Sequence, residues 1–325
     1  MKAFAYVDPT SARQAVAALG TERNRILPLA GGMDLLGLMK DYIVSPERLV
    51  NVKGLDASVE ATGPGLRIGA AAKVATIAED AGIRTRYPAL AEAAAGVGTP
   101  QIRHMATVGG NLLQRPRCWY FRNEEFPCLK KGGARCFAVD GENQHHAIFG
   151  EGPCHIVHPS SLAVPLIAYG ATFGVLGPDG AREVPAGAFY QMPAENLYGE
   201  TVLRPNELVT HATLPAPPTH SASYEARFKR AHDWPLAAAT VSLVVAGGRV
   251  TEARVVMGAV APVPWRAPSA ERQLVGRALT GAVAAEAAAA AVEGATPLSG
   301  NAYKVQIART AVKRALLKAA GLGAA

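Results

Sequence analysis

The chain has 325 residues, 49% hydrophobic and 18% charged, which allows a sizeable core and excludes wholesale disorder. Aromatic residues make up only 6%, so alanine and aliphatic side chains must fill that core. No stretch reaches the roughly 18 uninterrupted apolar residues of a membrane span, and the net charge of +7 comes without a long basic run or an aromatic–basic stripe, which argues against nucleic acid as a partner.

Asp8, Pro9 and Arg13 interrupt the N-terminal residues, so no secretory leader is visible there. The expected location is the cytoplasm, or the periplasm by export together with a signal-bearing partner. Residues 11–20 read as an amphipathic helix, with Ser11 as its cap and Gly20 as its stop. Residues 25–29 (RILPL) read as a buried strand, 30–34 as a turn, the apolar segment after it as a helix, and 48–52 (RLVNV) as a second strand. That order predicts parallel pairing.

From residue 65 a strand, a turn and a helix follow, then a helix over 88–95 that stops at Gly96. Residues 96–160 are rich in glycine and proline and read as loop. Residues 161–170 have helical spacing, and 171–185 read as a hairpin turning at Pro178-Asp179-Gly180. The proline cluster of 214–221 (LPAPPTHS) is the best linker. Beyond it, two apolar runs around Gly247-Gly248 predict a second hairpin. Residues 268–320 read as alanine-rich helix, with Pro297 separating two helices. These signals divide the chain into 1–55, 56–220 and 221–325.

Ala30-Gly31-Gly32-Met33-Asp34 follows a strand and opens a helix, where glycines let backbone N–H groups approach an anion. Thr107-Val108-Gly109-Gly110-Asn111 is a second such segment, preceded by Gly98-Thr99. Neither is a G-x-G-x-x-G fingerprint, which disfavours a dinucleotide domain of the Rossmann type. Two glycine-rich, hydroxyl-bearing segments suggest instead one extended ligand with a central diphosphate.

All four cysteines, Cys118, Cys128, Cys136 and Cys154, fall in one window. No C-x-x-C occurs, so zinc-ribbon pairing is absent. Arg115, Arg117, Arg122, Lys130, Lys131 and Arg135 outnumber Glu124 and Glu125 there, and Trp119, Tyr120, Phe121, Phe126 and Phe137 add an apolar shell. Such surroundings suit a negatively charged iron–sulfur cluster and should lower the thiol pKa values. Zinc, disulfides and free thiols stay open on these residues alone. His145, His146, His155 and His158 lie nearby and read as polar loop residues.

Taken together, Ala30-Gly-Gly-Met-Asp-Leu35, Gly98-Thr-Pro-Gln-Ile-Arg, Ala106-Thr-Val-Gly-Gly-Asn111 and His158-Pro-Ser-Ser resemble the FAD-binding medium subunit of the molybdenum hydroxylases, the xanthine dehydrogenase and carbon monoxide dehydrogenase group. The cysteine window is similar to the flavin subunit of bacterial aldehyde oxidoreductases with an additional [4Fe–4S] cluster. The resemblance implies an α+β protein. A vanillyl-alcohol-oxidase-type, two-lobed FAD-binding domain (lobes 1–55 and 56–220, with a [4Fe–4S] insertion at about 112–158) precedes a C-terminal domain of small antiparallel sheet and helices.

The resemblance further implies that Ala30, Gly31, Gly32, Met33, Asp34 and Leu35 cradle the FAD diphosphate. Thr107, Gly109, Gly110 and Asn111 form the second wall, with Gly98, Thr99, Ser161 and Lys229 near the flavin. Family members usually carry Asp where this chain has Ser161, which puts one polar contact in doubt. Cys118, Cys128, Cys136 and Cys154 would ligate the cluster. The implied role is electron transfer within a heterotrimeric aldehyde oxidoreductase, from a [2Fe–2S] small subunit beside a molybdopterin-containing large subunit to an external acceptor. No catalytic residue of this chain would touch the organic substrate. The alternatives are the flavin subunit of a 4-hydroxybenzoyl-CoA reductase-type enzyme and, from another class, a zinc-stabilised basic module binding nucleic acid.

Overall fold

The computed structural model of the chain describes residues 1–229 and 231–322, and it begins with a small parallel sheet. β1 (Ala5–Val7) and β2 (Ile26–Leu29) both pair in parallel with β3 (Arg48–Asn51). The crossovers contain α1 (Ala12–Ala18) and α2 (Leu35–Lys40). Ser11 caps α1, its hydroxyl accepting from the Gln14 N–H at 3.2 Å. Ala15 and Val16 pack on Val50, while Leu38 and Met39 pack on Leu49 and on Phe121 and Cys128 of the cysteine window.

The second lobe opens with β4 (Val59–Thr62) and β5 (Gly65–Gly69). Helices α3 (Val74–Glu79), α4 (Ala81–Arg86), α5 (Pro88–Gly96), α6 (Pro100–Met105), α7 (Val108–Leu112), α8 (Trp119–Arg122) and α9 (Ala163–Tyr169) follow. The predicted hairpin is β6 (Thr172–Gly177) with β7 (Gly180–Pro185), and β8 (Leu208–Leu214) completes an antiparallel sheet of order β4-β5-β8-β6-β7. Ile68 and Phe173 of that sheet share a core with Val74, Ile77, Leu90 and Leu166 of the helices.

The loop reading of 96–160 needs correction, because α6, α7 and α8 lie inside it. Thr99 and Thr107 cap α6 and α7 by accepting from Ile102 N (3.3 Å) and Gly110 N (3.1 Å). Helices of one or two turns carry too few positions to display an apolar period.

The third sheet contains β9 (His220–Ala226), β10 (Ala237–Ala246), β11 (Arg249–Gly258) and β12 (Trp265–Arg266), antiparallel in the order β12-β11-β10-β9. Gly247 (φ +56°) and Gly248 (φ +73°) make the two-residue β10–β11 turn, where both central residues need positive φ. α10 (Pro268–Leu274), α11 (Gly281–Ala291) and α12 (Tyr303–Ala319) cover the sheet. The expected pair of helices is thus three: α10 stops before Gly276 (φ +82°), and Thr280 caps α11. Ala284, Ala287, Ala288, Ala308, Ala311 and Ala315 are all fully buried, which is the alanine-filled core the composition demands. No helix among the described residues is long and apolar enough to cross a membrane.

Candidate functional site

A cleft of about 520 Å³ runs between the two N-terminal lobes and reaches the β9–β10 connection. Ala30, Gly31, Gly32, Met33, Asp34, Leu35, Gly98, Thr99, Thr107, Gly109, Gly110, Asn111 and Ser161 all line it. Lys229 does not: it is exposed, and its backbone N–H donates to the Asp233 carboxylate at 3.1 Å. His232, Asp233, Trp234 and Pro235 face the cleft in its place. Nothing in the local sequence distinguished these four from ordinary loop residues.

The two glycine segments meet backbone to backbone. A Cβ on Gly31 would stand 2.0 Å from Met105 O, so no other residue permits this approach, and Gly32 has φ +74°. The polar side chains are occupied in holding that arrangement. Besides the two threonine caps, Asn111 Oδ1 accepts from the Ser160 hydroxyl (2.7 Å) and from Leu162 N (3.3 Å). Asp34 Oδ2 accepts from Arg115 N at 2.8 Å, and its Oδ1 pairs with Arg122 (2.6 Å) and Arg117 (3.0 Å). Asp34 therefore ties the first glycine segment to the start of the cysteine window. A ligand is offered backbone amides and glycine space, with Leu27, Pro28, Val52, Leu55 and Leu208 as apolar walls. Arg117 spreads over the Trp234 ring at 4.7 Å and stays cationic, although burial pushes its guanidinium down to about 10.

The four cysteines line one small interior chamber, together with Tyr120, Phe121, Lys130, Phe137, His146 and His155. None forms a disulfide; Cys128 and Cys154 are buried, Cys118 and Cys136 half-buried. The closeness of the Cys136 and Cys154 thiols pushes Cys136 down to about 5 and raises Cys154. Burial pushes Cys118 up to about 11. Its sulfur lies 3.2 Å from His146 Nε2. No group of three His, Cys, Asp or Glu side chains among the described residues is placed to hold one metal ion.

Two expectations about this window change. For Cys118, Cys136 and Cys154 the basic residues matter less than burial and the Cys136–Cys154 contact, and half of the basic excess is neutralised from outside the window. Arg115 and Lys130 each pair with Glu200 at 2.8 Å, and Arg117 and Arg122 pair with Asp34. The histidines are also not all polar loop residues: His146 and His158 are 4% and 3% exposed. His158 packs edge-on to Tyr190 with ring centroids 4.4 Å apart, and burial pushes its imidazole down to about 3.

A histidine held below its unfolded pKa binds fewer protons when folded, so it contributes stability above about pH 6.5 that is lost as pH falls toward 3. The expected loss is roughly 3–5 kcal/mol. Urea unfolding between pH 7 and 4 should show this slope in the wild type and a flatter one in His158→Gln.

Far from being loose, the cysteine window is clamped by the C-terminal domain. Asn301 Nδ2 donates to His146 O (3.1 Å) and Ala147 O (3.0 Å). Lys304, 1% exposed, donates to His145 O (3.2 Å), His146 O (2.9 Å) and Ala259 O (2.8 Å). Asn143 bonds Ser299 and Gly300.

Comparison with known proteins agrees with this geometry. The family described as "FAD binding domain in molybdopterin dehydrogenase" matches residues 2–217, and "CO dehydrogenase flavoprotein C-terminal domain" matches residues 222–319. The aldehyde oxidoreductase FAD-binding subunit PaoB of Escherichia coli K12 is 36% identical over 283 residues, 84% of this chain and 86% of that one. The carbon monoxide dehydrogenase medium chain of Hydrogenophaga pseudoflava is 30% identical over 320 residues, 96% of each chain. Among solved structures, a chain of the reconstituted CO dehydrogenase from Oligotropha carboxidovorans superposes with a TM-score of 0.77 at 27% identity, covering 99% of both chains.

Proposed function

Because the chain belongs to the family of FAD-binding subunits of molybdenum-dependent dehydrogenases, we propose that it is the electron-transferring subunit of a heterotrimeric aldehyde oxidoreductase. The aldehyde is oxidised in a large molybdopterin-containing partner. Electrons arrive from a small [2Fe–2S] partner and leave to an external acceptor. FAD, when bound, supplies the exchange between one-electron and two-electron chemistry. The complex works in the cytoplasm, or in the periplasm if its partner carries the export signal.

The observation that carries this reading is the meeting of two glycine segments in one long cleft. Their amides, with Gly110 open to the cleft, would hold the diphosphate of FAD. Leu27, Val52 and Leu55 give an apolar wall, while Gly98, Thr99, Ser161 and Trp234 supply the flavin end. Arg117 keeps a positive charge beside the cleft, and Asp34 holds Arg117 in place. No side chain of this chain acts as acid, base or nucleophile on the aldehyde.

The reading extends to a [4Fe–4S] cluster on Cys118, Cys128, Cys136 and Cys154. Its support is the donor set: four thiols without a disulfide that line one chamber.

The chain should be co-expressed with the products of neighbouring genes, purified anaerobically, and assayed for flavin absorption, iron and subunit content. The expected complex contains one FAD and about four irons on this chain, in addition to those of the small partner. A colourless, partner-free protein would overturn the reading.

A further inference from the structure

Two imidazoles line the thiol chamber, and one touches a sulfur: His146 Nε2 is 3.2 Å from Cys118 Sγ. The contact is built in. Trp119 packs edge-on to the His146 ring (5.7 Å between centroids) and Tyr120 lies tilted beside it (6.1 Å). The His146 backbone N–H donates to Asn143 O at 2.9 Å, and its carbonyl accepts from both Asn301 and Lys304. The backbone beneath the ring is thus held at both its N–H and its carbonyl, and two aromatic rings flank the imidazole.

An iron-bound thiolate carries lone pairs and no proton, so ligation leaves His146 Nε2–H as the only donor this contact can have. Resting on the cluster reading above, we propose that His146 is a positioning residue that donates Nε2–H to the Cys118 sulfur and raises the reduction potential of the cluster. A donor aimed at a ligand sulfur favours the more negative, reduced state. The remaining ring nitrogen, Nδ1, then carries a lone pair, and it has no hydrogen-bond partner among the described residues. The position of Cys118 gives the effect a use. Arg117, its neighbour in the chain, lines the long cleft, so the tuned sulfur is the one covalently nearest to the flavin site.

The test uses the whole purified complex with His146→Leu and His146→Gln, measuring iron, FAD and the cluster potential by electron paramagnetic resonance redox titration. His146→Leu, with iron retained, should lower the reduced-to-oxidised ratio at a fixed potential about tenfold, equivalent to about 59 mV for a one-electron couple. His146→Gln keeps a donor and should stay within about threefold of the wild type. An iron-replete His146→Leu complex with an unchanged ratio overturns the proposal, as does His146→Gln falling as far as His146→Leu. Should His146→Leu lose iron, His146→Met, which also lacks a donor, takes its place: a tenfold fall supports the proposal and an unchanged ratio overturns it. Absence of cluster iron from the wild-type complex is read by metal analysis and overturns the cluster reading together with this inference.

Discussion

The Gly110→Val variant is expected to lose FAD at least about tenfold while keeping its fold, a penalty of 1.4 kcal/mol or more in binding. Position 110 is exposed to the cleft, and a Cβ there stands 3.0 Å from Thr107 Oγ1 and 3.8 Å from Ala30 Cβ. The branched side chain thus enters the gap between the two glycine segments and not the core. Flavin absorbance per chain after gel filtration measures the loss, and a thermal melt of the flavin-free protein checks the fold. Full flavin occupancy would remove the second glycine segment from the site. Gly31→Ala is a poorer probe, because its Cβ would drive Met105 O away and loosen the lobes themselves.

Cys128→Ser should lose most of the roughly four irons assigned to this chain. It should also lower the melting temperature. Cys128 is 6% exposed and packs with Leu38, Met39, Leu49 and Phe121, so the new hydroxyl is buried where a soft apolar sulfur stood. Such a burial costs about 1–3 kcal/mol unless the hydroxyl finds a partner. Iron analysis and a melt of the same preparation separate the two effects. Unchanged iron would take Cys128 out of the ligand set.

Strands and hairpins were legible wherever a local rule governs them. RILPL and RLVNV became β2 and β3, and Gly247-Gly248 became a two-residue turn, because period, turn chemistry and chain order agree there. The cleft was legible for a similar reason: residues that must be glycine for backbone approach are visible as glycines. What stayed hidden was everything decided between distant residues. The basic excess around the cysteines says nothing of Glu200 or Asp34, which halve it from outside the window. Lys304 falls in a stretch legible only as alanine-rich helix, yet it is buried under backbone carbonyls that come from two other segments. His158 resembles any loop histidine until Tyr190 covers it.

The bond from Lys304 to the carbonyls of His145 and His146 sets an order of events in biosynthesis. Translation runs from the N-terminus at about 5–20 residues per second, so all four thiols leave the ribosome well before α12 exists to brace the segment behind them. The walls themselves end at residue 156, but the segment carrying His146 acquires its brace only near the end of synthesis. On the cluster reading proposed above, metal delivered to the nascent polypeptide would meet an unbraced pouch.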